Sequence, residues 1–321
     1  MIFLQNKSLG SAYIAAILYS IIIGFSFLFV KLALQVSTPL DTIAHRFTIS
    51  FIIMLIPVLC GWIPVRIKWH GLKKIIPLAL FYPAIFFVLQ VYGLQYTSSS
   101  EAGIIQATVP IFTLIIASVF LKERSSGLQK ASLFLSVAGV IFIFVMKGNS
   151  SIQFSGTGTL LIVLSCLAFA AYSVLARSLT KRWKPLEITF IMMTLGFVCF
   201  NILSILQHLI NGTTSAFFAP WGDQRFLLAT LYLSILSSIG TAFLSNYVLS
   251  KIEATKMSVF NNFSTLISML AGVFFLQENL EYYHYVGAAM IVAGVIGTSF
   301  LGQRRLQSQI IPKTKQKNTS M

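Results

Sequence analysis

The chain has 321 residues, of which 56% are hydrophobic and 10% are charged, and its mean hydropathy is +0.84. Soluble domains carry about 25% charged residues, so this composition excludes a soluble globular protein and indicates that lipid surrounds most of the chain. The formal net charge of +15 would suit a nucleic-acid-binding protein, but the positions of the cations favour membrane topology as its explanation.

Ten apolar runs are long enough to cross a bilayer, since a spanning helix needs roughly 20 predominantly apolar residues. The first run is too long for the apolar region of a signal peptide, so we expect an uncleaved span. In chain order the predicted spans cover residues 11–30, 44–63, 75–93, 101–121, 131–147, 157–176, 187–210, 226–249, 257–277 and 283–302.

Lysine and arginine residues accumulate on one side of this layout. If the N-terminus is cytoplasmic, most of the 23 basic residues fall in cytoplasmic loops and tails, whereas Lys147 and Arg225 lie in loops on the other side. Cytoplasmic loops of membrane proteins carry such an excess. We therefore expect a multi-pass protein of the bacterial cell (inner or plasma) membrane with both termini in the cytoplasm.

The sequence also repeats itself. The stretch "ASVFLKER" at 117–124 recurs in outline as "GVFFLQEN" at 272–279, so that Glu123 reappears as Glu278 without its flanking cations. Near the start of each half the offset is 146 residues and pairs Asp41 with Glu187. Chance similarity between apolar helices is the alternative, and matched charges at a consistent offset weigh against it.

Each half contains five spans, an odd number, so the second half must be inverted in the membrane. This explains why the second copy of the helix ending keeps its glutamate and loses its cations, because it faces outside. We predict an all-α integral membrane protein with ten transmembrane helices in two inverted five-helix repeats, an arrangement typical of secondary transporters. Its parts are a cytoplasmic N-terminus (1–10), a first repeat (11–150), a second repeat (156–302) and a basic cytoplasmic tail (303–321).

Polar residues form matching stripes on four of the spans. Gln106, Pro110 and Thr113 share one helix face in the fourth span, as do Tyr82, Phe86 and Gln90 in the third. Their repeat mates are Asn261, Thr265 and Ser268 in the ninth span and Ser237, Thr241 and Ser245 in the eighth. Because polar side chains avoid lipid, these stripes predict a central pathway. The alternative is that the smaller residues only join helices to one another.

From these stripes we expect a small-molecule site near the membrane midplane. The predicted solute contacts are Tyr82, Gln90, Gln106, Thr241, Asn246, Asn261 and Thr265. Tyr19 and Tyr172 are predicted cavity walls, with helix packing as the alternative. Pro83 and Pro110 are predicted hinges, with a static kink as the alternative.

Charged residues near the ends of the spans are explained without a role in the pathway. All eight acids lie in loops or at helix ends, so a proton-coupled mechanism is unsupported, and Glu101 is the acid worth testing. Arg46 and Arg177 are predicted to be interfacial anchors, although Arg46 could also attract an anionic group. The row Ala289, Ala293 and Gly297 predicts close helix packing in the tenth span.

Motifs for catalysis and metal binding are missing from the sequence. It contains no G-x-S-x-G, H-E-x-x-H or P-loop, and Cys60, Cys166 and Cys199 show no ligand spacing. We therefore predict no enzyme activity, no metal and no cofactor. Two alternatives remain, a channel-like facilitator and an uptake permease for a small solute. A membrane-embedded enzyme is a third, less favoured alternative.

Three segments resemble one known family. The sequence of residues 92–144, together with "GFSFLFVKLAL" at 24–34 and "HRF" at 45–47, is similar to EamA-type carriers of the drug/metabolite transporter superfamily. The chain departs from the family pattern at Thr265, where a proline is frequent, and at Ile23-Gly24, where Trp-Gly is usual. The resemblance implies two inverted halves around a central cavity built mainly by spans 1, 3, 4, 6, 8 and 9. It also implies export of small metabolites such as amino acids or their derivatives.

Together these observations predict a secondary transporter that works by alternating access. Its expected partners are a small-molecule substrate and the lipid bilayer, with no nucleic acid. Since both halves of the pathway belong to one chain, we expect a functional monomer.

Overall fold

The computed structural model describes residues 2–62, 69–94, 96, 105–123, 125–147, 156–276 and 281–300, and every regular element within these ranges is helical. The predicted basic tail, Glu101 and Glu278 lie outside them. In chain order the α-helices are α1 (Ile2–Ala33), α2 (Pro39–Leu59), α3 (Trp69–Ala79), α4 (Phe86–Leu94), α5 (Val109–Phe120), α6 (Gly127–Lys147), α7 (Gly156–Leu179), α8 (Pro185–Asn211), α9 (Gln224–Ser234), α10 (Thr241–Lys251), α11 (Ala254–Leu276) and α12 (Tyr282–Phe300).

The prediction of an all-α protein with long apolar helices is confirmed. Among the described residues, six segments are long and apolar enough to cross a membrane: Leu9–Val30, Pro39–Leu59, Gly71–Gln90, Gly156–Leu179, Pro185–Asn211 and Gln224–Lys251. Two shorter apolar helices cover Val109–Phe120 and Gly127–Ile143.

Helices α2 and α8 begin in the same way, 146 residues apart. Each has a proline at its first position, Pro39 and Pro185, and an acid in its first turn. In α2 the backbone N–H of Asp41 donates to Thr38 Oγ1 at 3.2 Å, and in α8 the Glu187 carboxylate accepts from the backbone N–H of Lys184 at 3.1 Å. These contacts satisfy amide groups that a helix start leaves unpaired. Helix α2 therefore starts five residues before the predicted span at 44–63.

Two π-helical segments interrupt the helices at matching positions. The first π segment (Leu80–Ile85) joins α3 to α4, and the second π segment (Ile235–Gly240), 155 residues later, joins α9 to α10. Tyr82 has a non-helical backbone, with φ −144° and ψ 119°. Pro83 lies inside the first π segment, as the hinge prediction requires, whereas the second contains Ser237, Ser238 and Gly240 and no proline.

Pro110 lies directly after an interruption of the fourth predicted span. Ile105 and Gln106 are helical, Ala107 and Thr108 form a turn, and Pro110 is the second residue of α5. A proline in the first turn removes no helical hydrogen bond, because that amide would have no partner inside the helix. The span is thus interrupted beside Pro110, and a hinge role for this residue stays a prediction.

The helices pack mainly in pairs. Helix α2 packs on α8, α4 on α7, α6 on α12, and α1 on α10 and α11. The large side chains that are fully buried between them include Phe47, Tyr172, Met192 and Phe200.

Glycine allows α6 and α12 to approach each other closely. A Cβ atom on Gly287 would lie 2.8 Å from the Gly139 carbonyl oxygen, and one on Gly294 would lie 2.6 Å from the Ser132 carbonyl oxygen. The predicted row at Ala289 and Ala293 is instead exposed. Successive residues turn by about 100° around an α-helix, so Ala289 lies roughly opposite Gly287. Close packing in α12 is confirmed, but the predicted face is wrong.

We expect Gly294→Ala to lower the stability of the protein. The added methyl would meet the backbone of α6, which cannot move aside as a side chain can, and overpacking of this kind costs about 1–3 kcal/mol. The thermal unfolding midpoint of the purified protein in detergent measures the effect. Gly127→Ala is the control, because a Cβ there meets nothing within 4 Å. Equal midpoints for the two variants would contradict the proposed contact.

Candidate functional site

An aromatic cluster surrounds the break in the third predicted span. The Tyr82 ring lies 4.9 Å from the Tyr172 ring, centroid to centroid, and between 5.3 and 5.6 Å from the rings of Phe86, Phe87 and Phe169. We call these five residues the aromatic cluster. It joins the first π segment and α4 to α7, and it brings together two of the predicted site residues, Tyr82 and Tyr172.

Tyr19 extends this group toward α11. Its side chain is buried, and its hydroxyl donates to Asn261 Oδ1 at 2.9 Å. This hydrogen bond joins predicted residues of α1 and α11, as the Tyr82–Tyr172 contact joins the first π segment and α7. Thr265, in α11, is half-buried one turn after Asn261.

Asn246 is fully buried and its amide is engaged on both sides. Its Oδ1 accepts from the Tyr172 hydroxyl at 3.3 Å, and its Nδ2 donates to Thr189 Oγ1 at 3.2 Å and toward Met192 Sδ at 3.5 Å. The side chain thus joins α10 to α7 and α8. These contacts are explained equally well by a role in holding the three helices together and by the predicted contact with the solute.

The other predicted contacts differ in their surroundings. Thr241 is buried and donates to the Ser237 carbonyl oxygen at 2.7 Å, within its own helical span. Pro83 is buried beside Tyr82. Gln90 in α4 and Gln106, just before the turn that precedes α5, are half-buried. Within the described residues no hydrogen bond joins either of them to Tyr82, Tyr19 or Asn261.

Arg46 contradicts the prediction of an interfacial anchor. It is 7% exposed, and its guanidinium donates from Nε to Ser238 Oγ at 2.5 Å and from Nη2 to the Ser237 carbonyl oxygen at 2.8 Å. The predicted span began at residue 44, which placed Arg46 near a membrane surface. Because α2 begins at Pro39, Arg46 lies about two turns inside the helix.

The same guanidinium also faces the aromatic cluster. Its central carbon lies 5.3 Å from the Phe87 ring centroid and 5.8 Å from that of Phe47. Arg46 therefore connects the second π segment to α4, the helix that follows the first π segment. The sequence offered one signal for this role, namely a cation within an otherwise apolar helix.

A polar network holds α2 to α8 at the end where α2 begins. The buried Asp41 carboxylate accepts from Ser204 Oγ at 2.5 Å and from Thr38 Oγ1 at 2.7 Å. His208 Nε2 lies 3.0 Å from Asp41 Oδ1. The sequence correctly placed Asp41 at a helix end, but its partners on α8 required the tertiary structure.

A cavity of about 350 Å³ opens beside this network, between α2, α4 and α8. Its lining is mostly apolar and includes Phe87 and Phe200, with Gln207 and Asn211 among its polar members. Phe87 belongs to both the cavity wall and the aromatic cluster. The predicted solute contacts do not line this cavity.

Glu123 connects the two halves of the chain at the opposite end of the bundle. Its carboxylate accepts from the backbone N–H of Ala254 at 3.3 Å and from Thr255 Oγ1 at 3.5 Å, so it caps the start of α11. Arg177 Nε lies 3.8 Å from Glu123 Oε1, and Arg177 Nη1 donates to the Leu249 carbonyl oxygen at 2.7 Å. Arg177, predicted to be an anchor, instead pairs with Glu123. Burial is the main cause that raises the pKa of the Glu123 carboxyl, and the nearby Glu253 adds to it.

Comparison with known proteins identifies relatives along the whole chain. The sequence profile of the EamA-like transporter family matches residues 10–145 and again residues 156–300. The Bacillus subtilis protein named uncharacterized transporter YcxC is 51% identical over 304 residues, which cover 95% of this chain and 97% of that protein. An uncharacterized transporter of Archaeoglobus fulgidus is 26% identical over 273 residues, which cover 85% of this chain and 92% of that protein.

One solved crystal structure has a similar fold. It superposes with a TM-score of 0.75 over 93% of this chain and 99% of its own, at 18% sequence identity. At that identity the similarity concerns the fold alone.

We expect the stability contributed by Glu123 to depend on pH. A carboxyl with a raised pKa favours its neutral form in the folded protein, so its contribution is present at low pH and is lost as pH rises through the folded pKa. The thermal midpoint of Glu123→Gln should therefore rise relative to wild type between about pH 4, near the pKa of an ordinary glutamate, and neutral pH. Glu281→Gln, at an exposed glutamate, is the control. Parallel curves for wild type and Glu123→Gln would contradict the burial of this carboxyl.

Proposed function

The chain belongs to the EamA-like transporter family and is a multi-pass membrane transporter, and from this premise we propose that it is a secondary transporter for small organic metabolites. It carries amino acids or related compounds out of the cell across the cytoplasmic membrane by alternating access. The observation that carries the proposal is the kinked helix at Tyr82, which packs into a cluster of buried aromatic side chains. Discontinuous helices of this kind form the substrate sites of many secondary transporters.

We propose ten spans in two inverted halves, residues 11–150 and 156–302. The two matches to the family profile, the π segments 155 residues apart and the similar starts of α2 and α8 support this layout. The basic loops support cytoplasmic termini. Because both halves belong to one chain, a monomer suffices for transport.

The solute site lies between the halves and includes Tyr82, Gln90, Gln106, Thr241, Asn246, Asn261 and Thr265. Tyr19 and Tyr172 form its walls, and Pro83 and Pro110 adjoin the points where helices begin or break. The Tyr19–Asn261 hydrogen bond and the contact of Tyr82 with Tyr172 support this grouping. They connect the first, third, sixth and ninth predicted spans.

The described conformation suggests how access alternates. At the end of the bundle proposed to be cytoplasmic, Glu123 of the first half is bonded to α11 and paired with Arg177 of the second half. At the other end, the cavity between α2, α4 and α8 is open. We interpret this conformation as outward-facing. Rupture of the Glu123 contacts would accompany opening toward the cytoplasm.

Counterflow in liposomes tests the solute site. A carrier exchanges labelled for unlabelled solute in a saturable way, whereas a channel gives a linear flux. We expect Asn261→Ala and Gln106→Ala each to reduce counterflow of a solute, identified by ligand screening, roughly two- to tenfold, because each removes a polar group that the site uses. One hydrogen bond to a solute is worth about 0.5–1.5 kcal/mol, which corresponds to a change of that size.

Asn201→Ala is the matched control. Asn201 donates to Thr48 Oγ1 at 2.8 Å and so joins α8 to α2 outside the proposed site. Full counterflow in both site variants would show that the site assignment is wrong. Saturable uptake without exchange would favour the permease alternative, and a linear flux the channel.

Labelling of introduced cysteines tests the inversion. Gln35 and Lys181 are exposed and 146 residues apart, and they follow the first helix of each proposed half. In a cysteine-free background we expect Gln35→Cys to react with a membrane-impermeant thiol reagent in intact cells. Lys181→Cys should react only after the cells are permeabilised. Reaction of both positions from the same side would contradict two inverted halves.

A further inference from the structure

Arg46 carries a buried positive charge that none of the described carboxylates balances. Among the described residues no Asp or Glu oxygen lies within 4.0 Å of the guanidinium. Burying an unpaired charge costs several kcal/mol, and the hydrogen bonds and ring contacts of Arg46 offset only part of this cost. An ionisable residue inside a membrane protein that lacks a counter-ion is a strong indication of a binding function.

The guanidinium also retains unused donors. Nε and Nη2 donate to Ser238 and Ser237, but no residue in the described ranges accepts a hydrogen bond from Nη1. The fully buried side-chain atoms without a partner are the hydroxyls of Thr42, Thr230 and Thr298, and Nη1 is not among them. Nη1 therefore keeps accessible surface, and its two N–H groups can donate to a ligand.

Helix packing does not require a cation at this position. At the 146-residue offset the counterpart of Arg46 is Met192, which is fully buried and lies 3.5 Å from Asn246 Nδ2. An apolar side chain thus occupies the equivalent place in α8, and α8 still packs against its neighbours. Of these two equivalent positions, only the one in α2 carries a charge.

The surroundings of Arg46 are aromatic and neutral. Phe47 and Phe87 lie against the guanidinium, Tyr82 is beside it, and Ser237 and Ser238 provide hydroxyl and carbonyl oxygens. A carboxylate of a bound solute would find a cation here, and its apolar part would find aromatic walls. An ammonium group would find no described carboxylate as its partner.

We propose that Arg46 binds the carboxylate of the transported solute, and that this solute is an organic monoanion with an apolar or aromatic body and no ammonium group. The inference rests on the proposed transport function. Among the amino acids and related compounds named there, it selects the related compounds that keep the carboxylate and lack the ammonium group, and it excludes the amino acids themselves. An N–H of Nη1 donates to the carboxylate, while Ser237 and Ser238 hold the Nε and Nη2 edge of the guanidinium in place. Charge-assisted hydrogen bonds of this type are roughly twice as strong as neutral ones.

Four probes with the same phenyl group and different charges test this proposal. The thermal stability of the purified full-length protein is titrated at neutral pH with phenylacetate (anionic), 2-phenylethanol (neutral), phenethylamine (cationic) and phenylalanine (zwitterionic). We expect phenylacetate to bind at least tenfold more tightly than each of the other three. Equal binding of the alcohol or of phenylalanine overturns the proposal, as does the absence of any shift with phenylacetate.

Two variants assign the effect to Arg46. Arg46→Gln should raise the Kd for phenylacetate at least tenfold, because it removes the charge, and Arg46→Lys should restore part of the affinity. Arg182→Gln removes an exposed arginine and should leave the Kd unchanged. An unchanged Kd in Arg46→Gln overturns the proposal. If that variant does not fold, the order of the four probes on the wild-type protein decides the question by itself.

Counterflow separates this inference from the transport proposal. Tight, Arg46-dependent phenylacetate binding without any exchange in liposomes would support the anion site and contradict the transporter mechanism. Saturable exchange of a neutral or zwitterionic solute, unaffected by phenylacetate, would support the transporter and contradict the anion site.

Discussion

A backbone carbonyl that leaves its helical ladder inside a membrane must receive a hydrogen bond from another group, because lipid offers none. In the second π segment the Ser237 carbonyl oxygen accepts hydrogen bonds from the side chains of Arg46 and Thr241. The charged donor comes from α2, so a residue of one helix holds the π segment of another. The position of α2 and the burial of its cation are therefore linked.

The same contacts place a cation and several polar and aromatic side chains in the middle of the bundle. Arg46 lies between the two π segments, and the aromatic cluster, Tyr19 and Asn261 continue from the first segment toward α7 and α11. Polar contacts join different elements at the two ends, Asp41 with His208 at one and Glu123 with Arg177 at the other. The bundle thus has a buried polar centre and polar contacts at each end, an arrangement that permits one end to open while the other stays closed.

Sequence patterns predicted features that depend on local chemistry. Apolar length predicted the long helices, Pro83 predicted an interruption of the third span, and Asp41 and Glu187 were correctly placed at helix ends. The errors share one cause. Apolar length alone placed the start of the second span too late, and a row of small residues in α12 identified close packing without its direction. Hydropathy indicates whether a segment prefers lipid or water. It carries no information about which neighbouring helix a given face of the segment contacts.

The sequence by itself determined that this chain crosses a membrane many times, that its parts recur, and that its family is one of transporters, because composition, periodicity and motif are properties of residues along the chain. Only the tertiary structure decided that Arg46 is buried with none of the described carboxylates beside it, that Glu123 caps a helix 131 residues away, and that Asn246 is held by three partners. The reason is that the energy of a buried charge or amide depends on the atoms within a few ångströms of it. Those atoms come from helices far apart in the sequence.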